Sequence, residues 1–227
     1  MSNKNLKRCV YIVLVLLILL FYTKDIDLNK GDSYENTKII TEPDIIQVLV
    51  NKKYYLPENY IPNDLELVSV KYANENKYLR KEAKGAFEAL SETAKKQGYT
   101  IIAVSTYRPY EYQKKLYQEY VSTMGSDYAE HCSAKPGHSE HQTGLAVDVE
   151  GSNHDYDDFE NSKEFAWMKK NAHLFGFILR YPEGKTTITG FKYEPWHYRY
   201  VGKDVAKIIY EENLTLEEYY NKYINLN

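Results

Sequence analysis

The feature that most constrains this chain is a charge set among core residues. Asp148 lies in GLAVDVEG, residues 144 to 151, a short β-branched run with strand character, beside Leu145, Ala146, Val147 and Val149. A carboxylate in such a strand costs on the order of several kcal/mol unless a cation or hydrogen-bond donors offset its desolvation. The fold must therefore bring a partner to it. His141 stands seven residues earlier, in SEHQTGLAVD (139–148), and 46 residues after Asp148 the chain reads EPWHYRYVG (194–202). That second stretch reads as an aromatic strand carrying His197, with Glu194 three residues before it.

Two imidazoles and one carboxylate make a three-ligand set that suits zinc and leaves a fourth position open, as catalytic rather than structural sites do. Glu194 is then a spare carboxylate. Residues three apart on a strand point to opposite faces, but Pro195 bends the chain just after Glu194, so its carboxylate is expected to reach the open position without occupying it. On its residues alone the chain reads as a metal-dependent hydrolase. His131, His138, His154 and His173 have no partner at a telling spacing. His138 competes with His141 by proximity, but Pro136-Gly137 before it and Ser-Glu after it suggest a loop in which it points outward. Cys9 and Cys132 are the two cysteines, and they are not expected to pair, because Cys9 falls in an apolar run.

That run, residues 9 to 23, carries no charge and follows Lys4, Lys7 and Arg8. About fifteen residues is intermediate between a signal-peptide core and the ~20 that span hydrocarbon comfortably. No small-x-small cleavage site follows it, so it is expected to stay as an uncleaved anchor with the N-terminus inside and the rest of the chain outside. Without residues 1–24, which carry four basic residues and no acidic one, the net charge falls from −3 to −7. Such a balance argues against nucleic acid as a partner. The expected organisation is a basic tail (1–8), a membrane anchor (9–23), a polar tether (24–48) and one catalytic domain (49–227), acting as a monomer at the outer face of the cell membrane.

Along the domain, residues 49 to 70 have two Pro-anchored turns and should wrap it as extended chain. From Lys77 to Gln97, Leu79, Ala83, Ala86, Phe87, Leu90 and Ala94 recur at three- and four-residue steps before Gly98, which predicts an amphipathic helix. A strand over 99–105 leads into a loop bearing Arg108 and then a helix after Pro109, with Gln113 just over one turn downstream. An arginine there suits bidentate capture of a carboxylate or stabilisation of an oxyanion. Residues 125–140 have the composition of a surface loop. A helix ended by Gly176, the strand FILRY, the His197 strand and two closing helices follow. The 24 tyrosines read as amphipathic packing residues. Helices alternating with short strands predict an α+β domain, helices packed on a small, mostly antiparallel sheet.

SEHQTGLAVD, EPWHYRYVG and the upstream YRPYEYQ together resemble the three signatures of the VanY-like D-alanyl-D-alanine carboxypeptidases, zinc peptidases that trim bacterial cell-wall stem peptides. The resemblance covers residues 49 to 202. It implies that His141, Asp148 and His197 bind one zinc ion and that Glu194 is the general base. It further implies that Arg108, with Gln113 and Ser139, holds the substrate, a peptidoglycan stem peptide ending in D-alanine. The alternatives left open are an L,D-carboxypeptidase acting on tetrapeptide stems, an endopeptidase cutting inside the stem, and a zinc-stabilised wall-binding module without turnover.

Overall fold

The computed structural model describes residues 34–152, 156–224; the expected basic tail and anchor lie outside them. Among the described residues no helix is long and apolar enough to cross a membrane. The chain opens with β1 (Lys38–Ile39), paired in parallel with β2 (Tyr54–Tyr55), and continues with the antiparallel pair β3 (Leu65–Leu67) and β4 (Tyr78–Arg80). Helix α1 (Lys81–Lys96) leads to β5 (Ile102–Ser105), α2 (Tyr110–Met124) and α3 (Ser126–Cys132). A 3₁₀ turn, Glu140–Thr143, precedes β6 (Ala146–Glu150). Then come α4 (Lys163–Asn171), β7 (Phe177–Leu179), α5 (Thr186–Thr189), β8 (His197–Tyr200), α6 (Lys203–Glu211) and α7 (Leu216–Tyr219). The central sheet has the order β5-β6-β8-β7 and is antiparallel throughout. The domain is thus mixed α and β around small, mostly antiparallel sheets, as the alternation of patterns predicts.

Strand alternation divides this sheet into two faces. Val147, Val149, Tyr198 and Tyr200 point into the main core, where they meet α1 through Ala83, Phe87 and Leu90. Burying each of the larger of these side chains contributes roughly 1.5–3 kcal/mol. Asp148, His197 and Arg199 project from the opposite face. The α1 stripe runs at steps of four, three and four, Ala83, Phe87, Leu90 and Ala94, all fully buried. Gly98, at φ +84°, takes the left-handed turn just beyond the helix.

Three expectations need correction. The helix expected from Lys77 starts at Lys81, because Tyr78–Arg80 pair with β3 instead: Arg80 N–H donates to Gly144 O at 2.8 Å and its Nε to Asp64 at 2.8 Å. Tertiary pairing outweighs local helix preference there. The surface loop expected over 125–140 contains α3 and then a buried stretch, in which His138, Ser139 and Glu140 are all under 9% exposed. His138 points inward, its Nδ1 2.8 Å from Asn51 O and its ring against Tyr34 and Tyr55. Finally, residues 34–48, expected as tether, run against the domain: Tyr34 OH accepts from Lys135 N–H at 3.1 Å, β1 joins β2, and Val48 is buried.

Candidate metal centre and active-site cleft

The register of the central sheet brings the two signatures together. Asp148 pairs directly with His197 across β6 and β8, and with Ser105 on β5. Between Ala103 and Ser105 the β5 ladder slips by one residue, a bulge of the sort that re-aims side chains beside functional sites. His141 reaches the same place from the 3₁₀ turn, whose exit Gly144 sits at φ +66°. A Cβ at Gly144 would stand 2.8 Å from Leu65 Cδ2 and 3.1 Å from Arg80 Cγ, so glycine is required for the step from His141 into β6.

One ligand atom from each of His141, Asp148 and His197 lies within 4.8 Å of the others. Asp148 Oδ2 is 3.2 Å from His141 Nε2, and Oδ1 is 2.9 Å from His197 Nδ1. His141 Nδ1 donates to Thr106 O at 2.6 Å, which leaves Nε2 unprotonated, buried and without a hydrogen-bond partner. Donor atoms at ~2.0–2.2 Å from a tetrahedral zinc stand about 3.5 Å apart, so spacing and donor chemistry both fit zinc. The protonation of these three residues agrees. Burial and the Arg108 charge push His141 down to about 4, against the pull of Asp148, so it is a neutral imidazole at neutral pH. Burial would raise Asp148, but the two histidines hold it well below the usual carboxylate range. His197 is pushed up to about 9, because Asp148 and Glu140 together outweigh burial. A divalent cation held by His197 and Asp148 would take the place of that proton.

Glu194 lines the cleft that holds these three residues, just before Pro195. His197 N–H donates to Glu194 O at 3.2 Å, and the Glu194 carboxylate comes within 3.8 Å of His197 Nδ1. Burial pushes its carboxyl up to about 7, opposed chiefly by His197 and reinforced by the Asp148 charge. That value suits a group that takes and returns a proton near neutrality.

Arg108, Gln113 and Ser139 line the same cleft of about 420 Å³ as the three ligands and Glu194. The loop bearing Arg108 is latched to the ligand turn, Arg108 N–H donating to His141 O at 3.1 Å. Its Nε is buried with no hydrogen-bond partner. Gln113 is fixed by its Nε2, which donates to Ala134 O at 2.7 Å and Ser133 Oγ at 3.2 Å, while its Oε1 is buried and unpartnered. Cys132, Tyr181 and Trp196 also line the cleft, unanticipated from sequence. So does Glu140, which is fully buried and touches His197 from the far side: its Oε2 is 3.5 Å from His197 Nε2. Arg180 Nε and Arg199 Nη1 each donate to Glu140 Oε1 at 2.7 Å. Burial would raise the Glu140 carboxyl, but the two guanidiniums hold it well below its ordinary range.

The family model for VanY, D-alanyl-D-alanine carboxypeptidase, matches residues 76–203, which include His141, Asp148 and His197, Glu194 and Arg108. The chain belongs to this family. It is 40% identical over 205 residues to the D-alanyl-D-alanine carboxypeptidase of Enterococcus faecium, covering 84% of this chain and 64% of the relative, so it spans just under two thirds of that relative's length. Among solved structures it is similar to the LdcB LD-carboxypeptidase, at 43% identity and TM-score 0.78, covering 86% of this chain and 94% of the other. It is also similar to a zinc-bound mutant of the vancomycin-resistance D,D-pentapeptidase VanY from a VanB-type cassette, at 36% identity and TM-score 0.67, covering 77% and 98%.

Proposed function

We propose that this VanY-family chain is a zinc carboxypeptidase that removes the C-terminal D-alanine from peptidoglycan stem peptides. The observation that carries the reading is the convergence of His141, Asp148 and His197, with Glu194 alongside, in a cleft that also holds an unpaired arginine nitrogen. His141 Nε2, Asp148 and His197 Nδ1 would hold the ion. When bound, zinc supplies a Lewis acid that lowers the pKa of a water molecule toward ~7 and polarises the scissile carbonyl. Glu194 accepts the proton of the attacking water and delivers it to the leaving amine of D-alanine. Arg108 supplies a fixed cation for the terminal carboxylate or the developing oxyanion, and Gln113, held by its amide nitrogen, offers Oε1 as an acceptor for a substrate N–H. Ser139 completes the wall beside His141.

The similarity to the LD-carboxypeptidase LdcB, higher in identity and TM-score than that to the VanY D,D-pentapeptidase, supports a second reading, in which the bond cut is the L,D bond of a tetrapeptide stem. Mass spectrometry of pentapeptide and tetrapeptide stems after incubation with the detergent-solubilised full chain separates the two by which stem loses one alanine. Release of dipeptide or larger fragments would point instead to an endopeptidase. Activity that persists after zinc is chelated would sink the metallopeptidase reading. The apolar run at 9–23 and the basic residues before it support membrane anchoring with the cleft on the extracytoplasmic side. Accessibility of the domain to protease added to intact cells tests that placement.

A further inference from the structure

Behind the metal centre lies a line of buried charges that the proposed reaction does not use. Glu140 Oε2 and His197 Nε2 face each other, and neither makes a hydrogen bond elsewhere among the described residues. The imidazole of His197 is thus flanked by a carboxylate at each nitrogen, Asp148 on the cleft side and Glu140 on the buried side. Turning the ring over would put carbon against both. Glu140 is itself held by Arg180 and Arg199. Arg180 turns its other two nitrogens onto Glu217 as a fork, Nη1 to Oε2 at 2.8 Å and Nη2 to Oε1 at 2.6 Å. Asn51 Nδ2 adds a third donor to Glu217 at 3.1 Å. Arg199 is tied to the backbone by Nη2, which donates to Ile46 O and Val48 O. Both guanidiniums are fully buried, and the four charges balance two against two.

We propose that Glu217 is a positioning residue of the metal centre. Through Arg180 and Glu140 it fixes the orientation of His197 and keeps the charge behind the ligand neutral. Glu217 lies on α7, fourteen residues beyond the end of the 76–203 family match, and Asn51 lies before its beginning. The support for one zinc ligand therefore comes from chain outside the signature-bearing segment. Neutralising Glu217 leaves two buried guanidiniums facing one carboxylate. Arg180 then keeps its full charge for Glu140, and the net positive charge left beside His197 disfavours a dication. Carboxylates that orient a ligating histidine commonly govern about 10- to 100-fold in metal affinity, the range expected for Glu140→Gln, with Glu217→Gln near the lower end.

This inference rests on the zinc centre proposed above, and one experiment separates the two. Zinc affinity of the full chain is measured by competition with a chromophoric chelator, for the parent, His197→Ala, Glu140→Gln, Glu217→Gln and Glu218→Gln. The visible spectrum of each cobalt-loaded form reports ligand geometry. Glu218 is the neighbouring helix residue, bound to Lys185 and the Thr215 backbone rather than to Arg180, so its variant controls for disturbance of α7. We expect Glu217→Gln to weaken zinc about tenfold and to alter the cobalt spectrum, with Glu218→Gln matching the parent. Parent affinity and spectrum in folded Glu217→Gln overturn the proposal; a parent that binds no zinc, or a His197→Ala variant that binds it equally well, overturns the metal centre itself. Should Glu217→Gln fail to fold, Glu217→Asp keeps the charge and shortens the reach. Loss of affinity with a changed spectrum then supports the proposal, and parent values overturn it.

Discussion

Two glutamates flank His197, and their surroundings drive them apart. Glu140, on the buried side, meets two guanidiniums and is held ionised far below the usual carboxylate range. Glu194, on the cleft side, makes no ion pair with a guanidinium among the described residues; burial and the Asp148 charge raise it to about 7, against the pull of His197, Lys192 and Arg108. The same residue type at similar distance from one imidazole is thus made a permanent anion on one side and a carboxyl that protonates near neutrality on the other. The arginines repeat the contrast. Arg180 and Arg199 are engaged by buried acceptors, whereas Arg108 keeps a buried nitrogen unmatched inside the cleft. The guanidiniums behind His197 are satisfied within the protein, and the one in the cleft is left with capacity for a further partner.

The largest effect that would break this division is expected at Glu194. Glu194→Gln should lower kcat for D-alanine release by about 10²- to 10⁴-fold while zinc content stays at the parent level; near-parent turnover would remove Glu194 from proton transfer. Arg108→Ala should cost about 10²-fold or more in kcat/KM, only partly restored in Arg108→Lys, because a lysine cannot offer the planar fork. Steady-state kinetics on a stem-peptide mimic checks this, and parent-level rates in Arg108→Lys would argue against a bidentate role. Glu140→Ala acts on the supporting side and should destabilise the metal-free fold by about 3–5 kcal/mol in a denaturant titration, since it strands Arg180 and Arg199 without their shared acceptor.

The smallest effects concern pH. Glu194 must be deprotonated to accept a proton, and a cation at the three ligands lowers its carboxyl from about 7. The acid limb of the kcat/KM profile should therefore fall at or below pH 7, and a midpoint well above 7 would contradict the assignment. Glu140 has a depressed folded-state pKa, so the stability it contributes is present above its unfolded value of ~4.3 and is lost as pH falls below that. The gap in stability between the parent and Glu140→Gln should narrow between pH 5 and 3.

The acting side was far more legible in the sequence than the supporting side. His141 and Asp148 announce themselves because a carboxylate in an apolar strand needs an explanation, and Pro195 gives Glu194 its bend. Strand β8 and the stripe of α1 follow from periods of two and of three to four. Glu140, Arg180, Arg199 and Glu217 were missed because charged residues ordinarily read as solvent-facing and the links among them cross long stretches of chain with no local period. One signal was available: Arg199 stands two residues after His197 on the same strand and so shares its face, which places a second charge beside a buried ligand. The stretch 125–140 and residues 34–48 read as loop and tether from polar composition, and only tertiary partners such as Asn51 and Lys135 show them packed.

The direct pairing of Asp148 with His197 also has a mechanical meaning. These residues are 49 positions apart in sequence and face each other on adjacent strands, so an ion held between them ties off the intervening chain as a covalent cross-link would. Loops of that length are costly to close and correspondingly rewarding to hold shut. Metal supply would then govern how long this domain resists proteolysis as well as how fast it turns over.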